Sequence, residues 1–225
     1  MNQENIVKFH DGFTKYALKL ADTPFKAFTA FITSEMLNII VESTNDYIGN
    51  NRPNQECVSM ENLLKFIGAS LHIGLMKRKN MDVREFWSKK YGQSVIFNSI
   101  SMTCFERISA NLRFDIRNSR LRNDKLAPIR TIWDMFITNC QKHYVPSSQI
   151  TIDEQLVTFR GRCGFKMYIP NKPGRYGLKI WALCDAKNAY LYNAKVYLGK
   201  ENGRTEVNQG ENVVKNLCTP LFKSG

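Results

Sequence analysis

Two adjacent acids, Asp153 and Glu154, are the residues best placed to do chemistry, in the stretch QITIDEQLVTFRGR at 149–162. The stretch alternates like a β-strand, and acids are depleted in strands. A lone acid there is more often a solvent-facing or edge position than a functional group. Its surroundings shift that balance. Arg160, Arg162, Lys166, Lys172, Arg175 and Lys179 follow with no acid from 160 to 184, and Phe165, Tyr168 and Tyr176 are interleaved. Cations with aromatic neighbours suit a DNA phosphate backbone, with some stacking on bases. A carboxylate beside such a strip, Asp153 first, suits a Mg2+ site for phosphoryl transfer, in which the metal neutralises phosphate charge. A merely solvated face is the competing reading of the strip. Downstream, YIPNKPGRYG at 168–177 carries two prolines and two glycines, which make a stiff, sharply turning loop. It brings Lys172 and Arg175 together, either as a phosphate grip or as a plain connector.

The elements that must position these residues change character near Pro146. Before it the apolar period is helical. Leu37, Ile40, Val41, Thr44 and Ile48 share one face, as do Leu63, Phe66, Ile67 and Leu71 behind a Ser59 cap. Phe105, Ile108, Ser109 and Leu112 form a third face. The strongest helix runs after Pro128, with a stripe of Ile129, Ile132, Trp133, Phe136, Ile137 and Cys140, and with Lys142 and His143 in its last turn. About five helices are expected over 24–146. His143 there reads as a favourable charge at a helix C-terminus. Beyond Pro146 the pattern alternates: QITIDEQLVTFRG, FKMYI, GLKIWALCD and AYLYNAKVYL read as strands, with Lys187-Asn188 as a hairpin turn, and ENVVKNLCTPLF returns to helix. The fold class is α+β, divided as a polar lead-in (1–22), a helical region (23–148) and a strand-rich region with one helix (149–225).

Composition narrows the partners. The 225 residues carry a net charge of +12, which points to a polyanion, nucleic acid first. Residues 1–150 hold 20 basic and 14 acidic residues, net +6; residues 151–225 hold 12 and 6, again net +6 over half the length. No apolar run approaches a membrane span and no signal peptide is visible, so a nuclear or cytoplasmic protein with no membrane partner is expected. The six cysteines form no C-x-x-C pair and the three histidines no metal pattern; buried reduced thiols are the expectation.

Long stretches of the chain resemble the piggyBac transposase family and its transposable element-derived relatives. The resemblance rests on IDEQLVTFRGR with YIPNKPGRYGLK, supported by DTPFKAFTAFITSEMLNIIVESTNDY, DVREFWSKKYG, SISMTCFERISANLRFD and DKLAPIRTIWDMF, and it runs from about Asp22 onward. It implies a helical dimerisation and DNA-binding region, then the first half of an RNase H-like catalytic domain. The family cuts and rejoins DNA at TTAA sites with three aspartates and a divalent metal. Asp153 matches the first of these. Glu154 and Asp185 match family positions that are not catalytic. The second and third aspartates have no counterpart before Gly225, so the chain is expected to be a truncated, catalytically incomplete, nuclear DNA-binding protein, with Mg2+ held weakly by one carboxylate. The alternatives are a fragment of an active cut-and-paste transposase, and a degenerate remnant or protein-interaction module, with a homodimer through the helical region open in each case.

Overall fold

The computed structural model describes residues 11–76, 81–121, 123–199 and 208–222. In chain order the elements are β1 (Gly12–Phe13), α1 (Lys15–Leu20), α2 (Pro24–Phe31), α3 (Ser34–Asn51), α4 (Met60–Leu75), α5 (Ser94–Ser99), α6 (Met102–Asn111) and α7 (Arg130–His143). They continue with β2 (Tyr144–Val145), β3 (Ile150–Thr158), β4 (Met167–Tyr168), β5 (Tyr176–Asp185), β6 (Leu191–Val196) and α8 (Gln209–Cys218). The described part of 24–146 therefore holds six α-helices. The one not expected is α5, whose six residues are too few to show a period. The α+β class holds: helices first, then antiparallel strands.

Local chemistry explains where the helices begin. Thr14, Thr23, Thr33, Ser59 and Ser101 each precede a helix in extended conformation, and each hydroxyl accepts the N–H three residues on. That satisfies one of the donors a helix leaves unpaired at its start and stabilises it by about 1 kcal/mol. Pro24 adds the fixed φ suited to a first turn.

The chain divides into two compact units. One is Thr33–Leu121 with Ala127–Thr131. Leu37, Ile40 and Ile48 of α3, Leu63 of α4, and Phe105 and Ile108 of α6 are buried there, along with Phe86 and Ile96. Phe105 packs its ring against Phe66 and Trp87, at centroid distances of 4.8 and 5.0 Å. Leu71, expected on the apolar face of α4, is exposed. Two polar side chains pin the loops. Asn45 bonds both backbone groups of Val58, and Thr44 bonds both backbone groups of Arg113.

The other unit comprises the described residues of Met1–Ile32, Arg122–Leu126 and Ile132–Gly225. Its sheet runs β3-β5-β4, with β6 also on β5, every pair antiparallel. Helix α8 covers one face: Leu183, Tyr192, Val213, Leu217 and Cys218 form the core, with Ile152, Trp181, Tyr190 and Leu221 against it. Only Met167–Tyr168 of FKMYI is strand. The outer edge of β3 pairs with no described strand.

Some expectations change here. His143, at the C-terminus of α7, is buried. It stacks on Tyr16, meets Phe31 edge-on and bonds the Ala30 carbonyl through Nε2 at 2.9 Å. All six cysteines are free, but only Cys140 and Cys218 are buried, and Cys57 is exposed. The described part of the lead-in is tied down, since β1 pairs with β2 and Asp11 pairs with Lys187 at 2.7 Å. Its first ten residues lie outside the described ones.

Candidate nucleic-acid interface

The register of β3 on β5 sets Asp153 opposite Ala182, Glu154 opposite Trp181 and Leu156 opposite Lys179. Successive strand side chains point to opposite faces. Adjacent acids must therefore part company. Ile152, Glu154 and Leu156 lie on the half-buried face with Lys179, Trp181 and Leu183, the face that α8 covers. Thr151, Asp153, Gln155 and Val157 lie on the other face and are exposed.

Glu154 is consumed by the fold. Its Oε2 lies 2.6 Å from Lys179 Nζ and its Oε1 lies 3.8 Å from Lys172 Nζ. Lys172 also donates to the Glu154 carbonyl at 3.4 Å. The Lys179 amine sits 4.0 Å from the Trp181 ring centroid, with its side chain only 12 % exposed. One carboxylate thus ties the 169–175 loop to β3 and offsets the charge of a lysine held against the core. The sequence concealed this because the pairing needs the register, which only the folded loop sets.

Asp153 is left open. Its Oδ1 accepts the Glu154 N–H at 2.7 Å, it forms no ion pair with a described residue, and it faces solvent. Arg160, Arg162, Lys166 and Arg175 are also exposed; Lys166 reaches only the Gly161 carbonyl, at 3.1 Å. Of the six cations in the strip, four are therefore free to meet a ligand and two serve Glu154.

The loop that carries Arg175 is tightly built. Ile169 N–H donates to the Arg175 carbonyl at 2.7 Å and Arg175 N–H to the Lys172 carbonyl at 3.0 Å, with Arg175 itself at φ +48°. Gly177 allows β5 to lie close to β3, since a Cβ there would stand 2.3 Å from the Val157 carbonyl oxygen. Beside it, Tyr176 pairs with Tyr168 across β4 and β5, ring centroids 4.8 Å apart.

Asp185 ends β5 as a buried, fully engaged acid. It accepts from Ser147 N–H at 2.7 Å, Lys187 N–H at 2.8 Å and Tyr144 O–H at 3.1 Å, while Asn188 donates to the Tyr144 oxygen. Burial pushes its pKa up, but the donors, led by Ser147 N–H, more than reverse that and leave it below the usual value. Its role is to fix the β5–β6 turn. The signal in the sequence was an Asp two residues before a turn, a position from which a carboxylate caps backbone N–H groups.

A metal test is direct. Asp153 offers one solvent-facing carboxylate, and no group of three or more His, Cys, Asp or Glu among the described residues could hold a cation. Among the described residues no cluster of carboxylates of the kind a two-metal site needs is present. No described helix is long and apolar enough to cross a membrane.

A family model described as Transposase IS4 matches residues 23–225. The human PiggyBac transposable element-derived protein 3 is 27 % identical over 183 residues, which cover 79 % of this chain and 30 % of that protein. The human Chimeric ERCC6-PGBD3 protein matches at the same identity over 183 residues, 17 % of its length. Among solved structures, a chain from the piggyBac transposase synaptic complex with hairpin DNA superposes with a TM-score of 0.86 at 33 % identity, covering 95 % of this chain and 46 % of that one. The chain thus spans less than half the length of each of these proteins.

Proposed function

The chain belongs to the piggyBac transposase family, and from that premise we propose that it binds DNA along the open face and basic margin of its sheet. Asp153 serves there as one carboxylate of a divalent-metal site, and these 225 residues do not cut DNA alone. The carrying observation is the separation of the two acids: Glu154 is neutralised on the packed face, and Asp153 stands free on the open face of the strand that leads to the exposed cations Arg160, Arg162, Lys166 and Arg175. A free carboxylate and a run of free cations further along the same strand suit a metal-bound phosphate at one point of a DNA backbone and charge contacts at others. The 149–225 segment is read as the front of an RNase H-like domain. The helical segment, 23–148, is read as a second DNA contact and the place of any homodimer. Localisation is proposed as nuclear, where DNA is met.

Binding of a 20-base-pair duplex, followed by fluorescence anisotropy across salt concentrations, tests this. Each phosphate contact contributes about 0.9 to the slope of log K against log salt, so replacing the four free cations with Gln should lower the slope by about 3–4. Asp153→Asn should bind duplex at least as tightly as the parent, because a negative charge near phosphate is removed. Metal-dependent strand cleavage by the 225-residue chain that disappears in Asp153→Asn would overturn the non-cutting part. The matched 46 % of the solved transposase chain supports a second reading, in which a longer polypeptide containing these residues and further aspartates performs cut-and-paste transposition.

A further inference from the structure

The open sheet face carries more than a carboxylate. Tyr176 lies two residues before Leu178, which opposes Val157, so Tyr176 shares the face of Val157, Gln155 and Asp153. Tyr168 opposes Tyr176 and lies on that face as well. Their rings form a tilted pair at 4.8 Å, yet the residues are 51 % and 53 % exposed, and Val157 beside them is 43 % exposed. A cross-strand aromatic pair supports a two-residue strand such as β4. That role needs the rings to touch each other, not to turn half their surface to water. Exposed aromatics grouped on a sheet and flanked by cations mark a binding surface.

We propose that Tyr168 and Tyr176 form a stacking platform for unpaired nucleotides of a DNA strand. This rests on the DNA reading above and names the form of DNA taken. A duplex hides its base faces within the stack, so a tyrosine platform discriminates for unpaired bases and tolerates any sequence. Arg160, Arg162, Lys166 and Arg175 supply the charge complement for the strand's phosphates. The register also gives a spacing. Tyr176 carbonyl accepts the Phe159 N–H, so the platform lies level with residue 159, six positions along the strand direction from Asp153. At about 3.3 Å per residue that is about 20 Å. A stacked strand rises about 3.4 Å per nucleotide, so the unpaired bases lie about six nucleotides from a phosphate at Asp153.

The probes are a labelled 12-nucleotide oligo(dT), the same backbone with abasic sites throughout, and a 12-base-pair duplex. Each is titrated against the chain and against Tyr168→Ala, Tyr176→Ala and the two Tyr→Phe variants, with circular dichroism confirming that each folds. Each Ala variant is expected to weaken oligo(dT) binding about tenfold, while Phe variants bind as the parent does. Abasic strand and duplex affinities should be the same for all. Unchanged oligo(dT) affinity in the Ala variants, or equal losses on the abasic strand, would overturn the platform while leaving duplex binding and its salt slope intact. Absence of both duplex and oligo(dT) binding by the parent chain would instead overturn the DNA reading, and the platform with it.

Discussion

Replacing Glu154 with Gln should cost far more than replacing its neighbour Asp153 with Asn. The Glu154–Lys179 pair is 2.6 Å long, its carboxylate side 26 % exposed and its amine side 12 %. At an effective dielectric constant near 20, such charges attract by about 6 kcal/mol, most of which is offset by their desolvation. Exposed pairs net about 0–1 kcal/mol, and stripping one partner from a buried pair costs about 3–5. With both partners half-screened, Glu154→Gln is expected to cost about 2 kcal/mol, because it leaves the Lys179 amine against Trp181 without its counter-ion. Lys179→Met keeps the stem's packing and leaves Lys172 near the carboxylate, so it should cost about 1 kcal/mol. The double variant should cost about 1.5 kcal/mol rather than the sum, a coupling of about 1.5. Asp153→Asn, with one local backbone bond to keep, should change stability by less than about 0.5 kcal/mol. Urea denaturation followed by circular dichroism measures all four, and amide exchange of β3 and β5 reports the sheet alone. The reasoning fails if Glu154→Gln is no worse than Asp153→Asn, or if the coupling is near zero.

Gly177→Ala should disrupt the β3–β5 end, because the added Cβ meets a backbone oxygen and not a movable side chain; a loss of about 2 kcal/mol in urea unfolding is expected, and a neutral result would contradict the close approach. Asp185 has a folded pKa below its unfolded one, so its stabilisation is full above the unfolded value near 4 and is lost as pH falls further; Asp185→Asn should lower stability at pH 7 and flatten its fall between about pH 4 and 2. The outer edge of β3 has no described partner, so its alternate amides facing away from β5 should exchange quickly while those facing β5 are protected. Uniform protection across 150–158 would mean that another strand covers that edge.

The helical faces of α3 and α6 were legible because burial follows period: Leu37, Ile40 and Ile48, or Phe105 and Ile108, recur at helical spacing and are buried. The cap at Ser59 was legible from residue type. Strands β3, β5 and β6 were legible from alternation, and the β5–β6 turn at Lys187-Asn188 from its polar residues. What sequence withheld depends on contacts between distant residues. The burial of His143 depends on Tyr16 and Phe31, more than a hundred positions away, which pack against its ring. That Lys172, through the 169–175 loop, and Lys179, through the β3–β5 register, both lie beside Glu154 could not be read from the run of cations. At the site, Asp153 and the run of cations were visible as residue types; which of them stay free was not.

That distinction follows from a single geometric rule. In a strand, neighbours in sequence are opposites in space, so an acid pair can serve stability and chemistry at once without either carboxylate serving both. Had the register slipped by one residue, Asp153 would face the α8 side and Glu154 the solvent, and the core would lose Ile152 and Leu156 to water as well. Burial of those two apolar residues therefore fixes which acid is exposed. The same packing holds Lys179 inward, where Glu154 neutralises it. The packing of Ile152 and Leu156 thereby sets which carboxylate the open face of β3 carries: Asp153 and not Glu154.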